Sequence, residues 1–312
     1  MKKIAIIGSY NQDLVFRAHR IPSEGETVQG IGFFSNSGGK GSNQMISAHL
    51  QGADITPVLK LGNDPYGQQA RALYKRLGMP LAGLLQDPNE PTGMAGIFTG
   101  ENGSNSIVVT GGANLTLTAD EMVDAVPQDT ALIGFQLENN PQAVFEAIRR
   151  LHRQGAKILL DPTPVTELPD WLYPCLDYLK PNEHEAAQLA GYPINNPQDA
   201  LAAARILQGK GAKTVIVTLG VLGSVLCTEE AVFIPAAKAD AVDTTAAGDI
   251  FCGALLAQLA ADQPLIQAVQ YATCASALSV TKQGAWKSCP TAKQTQEFFA
   301  DRQEMLKPVP LQ

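Results

Sequence analysis

Short unbroken apolar runs alternate with longer segments of helical period along this chain. Ile4 to Ile7 is an apolar run closed by Gly8-Ser9, which predicts a strand buried on both faces of a parallel sheet. From Ile55 the alternation is regular. It predicts a strand over 55–61, helices over 64–77 and 120–126, a strand over 131–136 leading to Glu138, and an amphipathic helix over 142–154. Strands follow over 157–160, ending in Asp161-Pro162, and over 177–179, before Pro181-Asn182-Glu183-His184-Glu185. A helix over 199–208 and a strand over 214–218, running into Gly220-Val221-Leu222-Gly223-Ser224, come next. The segments 248–261 and 265–281 are apolar nearly all round, as buried helices are. Such an alternation builds an α/β fold: a doubly wound, mostly parallel sheet with helices on both faces.

Residues 14–36 break this pattern. Pro22, Gly25, Gly30 and Gly32 interrupt them, and the pieces 14–16 and 27–34 read as extended. A hairpin is predicted over 94–99 and 106–110, around Glu101-Asn102-Gly103. Together these predict a small, discontinuous β lid over 13–37 and 94–110, set on a core made of 1–12, 38–93 and 111–305. Residues 306–312 read as a flexible tail.

An apolar fraction of 45% over 312 residues supplies a sizeable core. The net charge is −7 and no basic cluster exceeds a pair such as Arg149-Arg150, which argues against nucleic acid and anionic membranes as partners. The five cysteines are scattered without metal spacing and read as buried thiols of a reducing compartment. His19, His49, His152 and His184 share no spacing with cysteines or carboxylates, so no zinc site is expected. The first apolar run is too short for a signal sequence, and the expected location is cytoplasmic.

Polar residues recur where strands end: Asn11 and Asp13, Glu138, Asp161, Asn182 with Glu185, Thr218 with Gly220, and Asp249. Parallel strands all point one way, so these ends converge on one edge of the sheet, where ligands bind. The segment Asp243-Thr244-Thr245-Ala246-Ala247-Gly248-Asp249 opens the first of the two apolar helices. Its small residues leave first-turn amides uncovered, and uncovered amides with the helix dipole attract anions. Taken locally, Asp249 only helps cap the helix, with Thr244 or Thr245 as N-cap. Taken with the other strand ends, it is a base that removes a proton from a hydroxyl attacking a phosphate held by those amides. Ser37-Gly38-Gly39-Lys40-Gly41-Ser42-Asn43-Gln44 is not a P-loop, because Phe34 and Gly41 stand where that motif needs Gly and Ser or Thr. By itself it reads as a tight turn into a helix, with Lys40 and Asn43 as available donors. Asp161 before Pro162 reads as a strand terminator, and Trp171 and Trp286 as packing residues.

The stretches Gly8-Ser9-Tyr10-Asn11-Gln12-Asp13, Gly38 to Gln44, Pro181-Asn182-Glu183 and Asp243 to Asp249 together resemble the signatures and spacing of the PfkB carbohydrate kinases, over about residues 3–305. The likeness is greatest to the ribokinase-like members. It implies a β lid through which such proteins often dimerise, so a homodimer is expected. It also implies transfer of the ATP γ-phosphate to a sugar hydroxyl, with D-ribose to ribose 5-phosphate as the leading reaction. Another sugar, a nucleoside, or a non-catalytic sugar-binding role are the alternatives.

By that resemblance Asp249 matches the catalytic base, and Ala246, Ala247 and Gly248 match the anion hole. Asn11, Asp13, Gly39, Lys40, Asn43 and Glu138 match the sugar-holding positions. The amide at Asn11 suits a substrate with a hydroxyl there, since deoxyribokinases tend to carry an apolar residue. Asn182 and Glu185 match positions near the ATP phosphates and Mg²⁺. Thr218, Gly220 and Gly223 match the loop supporting the nucleotide, and Thr273 falls along the adenine pocket. Asp243, Thr245, Ser279, Lys282, Gly284 and Ser288 align with a potassium site, mostly through backbone carbonyls.

Overall fold

A computed structural model describes residues 1–312. The chain opens with β1 (Ile4–Ile7), β2 (Asn11–Ala18), β3 (Gly30–Gly38) and α1 (Lys40–Leu50). Then come β4 (Ile55–Gly62), α2 (Pro65–Arg76), β5 (Leu84–Asp87), β6 (Gly93–Gly100), β7 (Asn105–Thr110) and α3 (Ala119–Asp124). The middle of the chain supplies β8 (Leu132–Phe135), α4 (Pro141–Arg153), β9 (Lys157–Leu160), β10 (Tyr178–Leu179), α5 (Glu183–Ala190), α6 (Pro197–Gly209) and β11 (Thr214–Thr218). It closes with β12 (Gly223–Cys227), β13 (Ala231–Pro235), α7 (Ala247–Ala260), α8 (Leu265–Ser279), α9 (Ala292–Ala300) and β14 (Val309–Pro310).

The main sheet has ten strands in the order β14-β13-β12-β11-β10-β9-β8-β1-β4-β5. From β11 to β5 neighbours run parallel, and β12, β13 and β14 extend the edge antiparallel. Alternate residues of β1 feed two separate cores. Ile4 and Ile6 pack toward α1, α7 and α8, while Ala5 and Ile7 pack toward α4, α5 and α6. The period of a strand thus fixes which layer each side chain enters, and an apolar run serves both layers at once. Helix starts follow the same local chemistry: Asp64 caps α2 by accepting from the Gly67 amide, and Asn140 caps α4 just before Pro141. No helix is long and apolar enough to cross a membrane.

The second sheet has the order β3-β2-β6-β7. β2 pairs antiparallel with β3 and parallel with β6, so the sheet is mixed. It begins at Asn11 rather than at residue 13, which puts Asn11 and Asp13 in the strand that leaves the core.

Two differences from the sequence reading concern the C-terminal half. The strands β12 and β13 escape a βα reading because they form a hairpin. The segment 306–312 is not a flexible tail. Leu306 is fully buried, Gln270 Nε2 donates to its carbonyl at 2.7 Å, and Val309–Pro310 pairs with β13. Proline is tolerated there because the strand is at the sheet's edge.

Leu306→Ala is therefore expected to lower the unfolding free energy by about 2–4 kcal/mol in urea titration. A flexible tail would give a change within about 0.5 kcal/mol.

Candidate active site

Helix α7 starts without a side-chain cap. Its N-cap is Ala246, held in the left-handed region at φ 61°, and not Thr244 or Thr245. The first intrahelical bond runs from the Ile250 amide to the Ala246 carbonyl at 2.9 Å. The amides of Gly248 and Asp249 are left open, and Gly248 is exposed to the cleft. A left-handed alanine costs about 1–2 kcal/mol. Two contacts hold the turn: Ser276 Oγ donates to the Ala247 carbonyl at 2.9 Å, and the Thr245 amide donates to Asp243 Oδ1 at 2.9 Å.

Asp249 is buried in that first turn, and Asn43 Nδ2 of α1 donates to its Oδ2 at 2.9 Å. Burial pushes its carboxyl up to about 6; Lys40 and the Asn43 bond pull it down, while the charges of Asp161 and Glu138 push it up. The other amide atom of Asn43, Oδ1, is buried without a partner. A buried acceptor of that kind has a place for a ligand hydroxyl. Burial opposes the charge on Lys40, yet Asp249, Asp161 and Glu138 hold its ammonium above the usual lysine value, against Lys180. Lys40 lines the cleft together with Asp249 and Asp161.

On the small-sheet side, Glu138 ties the turn after β1 to the start of α1. Its Oε2 accepts from Ser9 Oγ, from the Lys40 amide at 2.9 Å, and from Asn11 Nδ2 at 3.5 Å. Gly39 has φ 91°, and a Cβ there would stand 2.7 Å from the Asn11 amide nitrogen, so only glycine fits. The turn into α1 and the binding edge are therefore one feature. Burial, then the charge of Glu138, pushes the Asp13 carboxyl up to about 7. Sequence reasoning missed Asn114. It is 1% exposed, and its Nδ2 donates to Asn11 Oδ1 and to the Tyr10 carbonyl, each at 2.9 Å. That bond fixes which end of the Asn11 amide faces the pocket, and only the tertiary fold brings position 114 there.

On the other side of Asp249 lies a cleft of about 1020 Å³, lined among others by Asn182, Thr218, Gly220, Gly223, Gly248 and Thr273. Asn182 and Glu185 form a capping box on α5. Asn182 Oδ1 accepts from the His184 and Glu185 amides at 2.9 Å, and Glu185 Oε2 accepts from the Asn182 amide at 2.9 Å. The side-chain nitrogen of Asn182, Nδ2, stays uncommitted at the cleft. Gly223 has φ 129°, and a Cβ there would meet the Ile234 carbonyl at 2.1 Å. Thr218 pairs in register with Ser224, whose hydroxyl is buried, lines the cleft and has no partner. Uncovered amides, an unpartnered hydroxyl and a free amide nitrogen fit a phosphorylated ligand. Thr273 spends its hydroxyl on the Val269 carbonyl at 2.9 Å, so it offers the cleft a methyl surface. Phe298 and Arg302 also line the cleft, and neither was anticipated.

The third predicted set is brought together only in part. Asp243 Oδ2 accepts from the Gly284 amide at 2.9 Å, which joins the 243–245 turn to the loop after α8. Burial opposes its charge, but the Gly284 and Thr245 bonds hold its carboxyl below the usual value. The hydroxyls of Ser279 and Ser288 both donate at 2.7 Å to carbonyls of their own turns, Ser276 and Ala285, and Lys282 is exposed. Nowhere do three His, Cys, Asp or Glu side chains converge as metal ligands.

Comparison with known proteins identifies the family. The family model described as pfkB family carbohydrate kinase matches residues 1–292. A bifunctional ribokinase/ribose-5-phosphate isomerase A of Fructilactobacillus sanfranciscensis is 39% identical over 93% of this chain; the chain spans 55% of that protein's length. A ribokinase of Haemophilus influenzae is 34% identical, over 96% of this chain and 98% of the relative. Among solved structures, the Arabidopsis thaliana ribokinase complexed with ribose and ATP superposes with a TM-score of 0.90 at 28% identity, over 96% of this chain and 98% of that one.

Two outcomes follow from the start of α7. A carboxylate that is to serve as a base must be ionised, so if Asp249 has that role turnover is expected to fall about tenfold per pH unit below about 6, the value to which burial pushes it, and to level off above. A pH-independent rate between 5 and 7 would remove Asp249 as the base. A Cβ on Gly248 would meet nothing nearer than Lys180 Nζ at 3.6 Å, so alanine fits there. Gly248→Ala is expected to hold or raise the melting temperature, because alanine favours helix by about 1 kcal/mol, and yet to lower turnover by about tenfold or more.

Proposed function

The chain belongs to the pfkB family of carbohydrate kinases, and from that premise we propose that it transfers the γ-phosphate of ATP to the primary hydroxyl of D-ribose, giving ribose 5-phosphate. The observation that carries the reading is the bond from Asn43 to Asp249. It joins a pocket of amides and carboxylates, suited to a polyol, to a helix start suited to a phosphate. The ribokinase relatives support ribose as the acceptor.

In this reading Asn11, Asp13, Gly39, Asn43 and Glu138 hold the sugar. ATP lies in the cleft over Thr218, Gly220 and Gly223, with Thr273 along the base. Asp249 accepts the proton of the attacking hydroxyl. The amides at the start of α7 stabilise charge on the phosphoryl oxygens as the bond to ADP breaks. Asn182 and Glu185 are the groups that would hold Mg²⁺, through water, and the ion would screen the phosphate charges. Asp243, with carbonyls and hydroxyls around Thr245, Ser279, Gly284 and Ser288, is the proposed seat of an activating potassium ion, which would steady the turn that forms the anion hole.

The small sheet is proposed as a homodimer contact. Its aromatic side chains Phe16, Phe33 and Phe98 are exposed and packed on one another, with ring centroids 5.0 and 5.6 Å apart, and Ile107, Val108 and Val109 lie exposed on β7. An exposed apolar sheet of this kind is stable in water when a partner covers it.

The test is a coupled ADP-release assay with MgATP, with and without potassium, across D-ribose, 2-deoxyribose, fructose, other pentoses and nucleosides. Ribose-dependent release, raised by potassium, is expected. Turnover on a different acceptor alone would move the substrate assignment while leaving the phosphoryl-transfer reading in place. Light scattering at micromolar concentration is expected to give the mass of a dimer, and a monomer would remove the sheet contact.

A further inference from the structure

The floor of the cleft holds a lysine that strand-end reasoning passed over. Lys180 directly follows β10 and is 3% exposed. Its Nζ lies 3.3 Å from Asp161 Oδ1, 6.0 Å from the centre of the Phe251 ring, and 3.6 Å from where a Cβ on Gly248 would stand. Asp161 is 2% exposed and is fixed from behind. Its Oδ2 accepts from Gln44 Nε2 at 2.8 Å, and Gln44 Oε1 accepts from Gln136 Nε2 at 2.6 Å.

A comparison within the molecule shows what is unusual here. Lys60 is the other deeply buried lysine, and its ammonium is well supplied: both Glu121 oxygens at 2.8 and 3.1 Å, the Thr116 carbonyl at 3.2 Å, and Asp87 at 3.4 Å. Lys180 has one carboxylate partner, although an ammonium carries three donors. Besides that carboxylate the ammonium meets the Cys252 thiol and the Phe251 ring, and it borders the cleft beside Gly248. A buried ion pair gives little stability over an apolar pair of similar volume, so packing does not account for one placed at this edge.

We propose that Lys180, oriented by Asp161, is a further catalytic residue of this kinase: a fixed cation on the transferring phosphoryl group, beside Gly248. The proposal rests on the phosphoryl-transfer reading of the cleft. As the sugar oxygen bonds to the γ-phosphorus, the bond from that phosphorus to the β–γ bridging oxygen breaks. The electron pair leaves on ADP, and the hydroxyl proton goes to Asp249. Lys180 neutralises charge on the phosphoryl oxygens during that exchange, and Lys40 lines the same cleft. Asp161 acts through Lys180 and is a positioning residue.

Lys180→Met alone leaves Asp161 buried and unpaired, so the decisive variant is the double Asp161→Asn/Lys180→Met, which removes both charges together. Wild type, Lys180→Met, Lys180→Arg and the double variant are compared for melting temperature, kcat, and KM for sugar and ATP. The double variant is expected to recover the melting temperature lost in Lys180→Met while its kcat stays down about 10²-fold or more, with KM for sugar within about threefold. Lys180→Arg, which keeps the charge, is expected to regain part of kcat. A double variant within about threefold of wild-type kcat would overturn the proposal, because Lys180 would then only balance Asp161. A wild-type protein that transfers phosphate to no sugar would instead remove the kinase reading on which the proposal rests, and the wild-type control reports that separately.

Discussion

The structure depends on a helix that begins where folding alone would not begin one. At the start of α7 an alanine sits in the left-handed region, first-turn amides lack a cap, and a carboxylate is buried beside them. Each of these opposes stability. They persist because α7 is clamped on two sides. Ser276 of α8 donates to the Ala247 carbonyl, and Ser47 of α1 donates to the Ile250 carbonyl at 2.9 Å. Gly253 lets α1 come close, since a Cβ there would stand 2.5 Å from the Gln44 carbonyl. That close approach brings Asn43 to Asp249, so the packing of two helices sets the distance between the polar pocket and the start of α7.

Charge is arranged around the same point. Asp13, Glu138, Asp249 and Asp161 crowd one edge of the sheet, with only Lys40 and Lys180 between them. Burial first, and then the charges of neighbouring carboxylates, push the Asp13 carboxyl up to about 7 and the Asp249 carboxyl up to about 6. Such values suit a site whose base must take a proton at physiological pH. The two ammonium groups keep the cluster from being uniformly negative, as the proposed entry of a phosphate requires.

Much of this was legible in the sequence because strand direction carries information. Once Ile4–Ile7, Ala131–Gln136, Lys157–Leu160 and Thr214–Thr218 read as parallel strands, the polar residues after them had to meet at one edge. Asp249 stood out because a carboxylate and uncovered amides are poor neighbours in a purely structural turn. The remainder depended on tertiary contacts with no local signature. Asn114 reaches Asn11 from a short turn far along the chain. Asp161 before Pro162 has the form of a strand terminator, and Lys180 before Pro181 that of a surface residue; only folding buries both against the cleft. Thr244 and Thr245 have the composition of a helix cap, but the left-handed turn at Ala246 carries them away from the amides. The prolines near the C-terminus suggest a free tail, whereas an edge strand needs few donors and accepts them.

The most direct measurement is the turnover of Asp249→Asn with saturating MgATP and D-ribose, taken with its melting temperature. Asparagine can still accept from Asn43 and no longer buries a charge, so the fold should be as stable as wild type or more so. Turnover should drop by about 10²–10⁴. A variant that folds normally and keeps wild-type turnover would contradict the placement of the base at the start of α7.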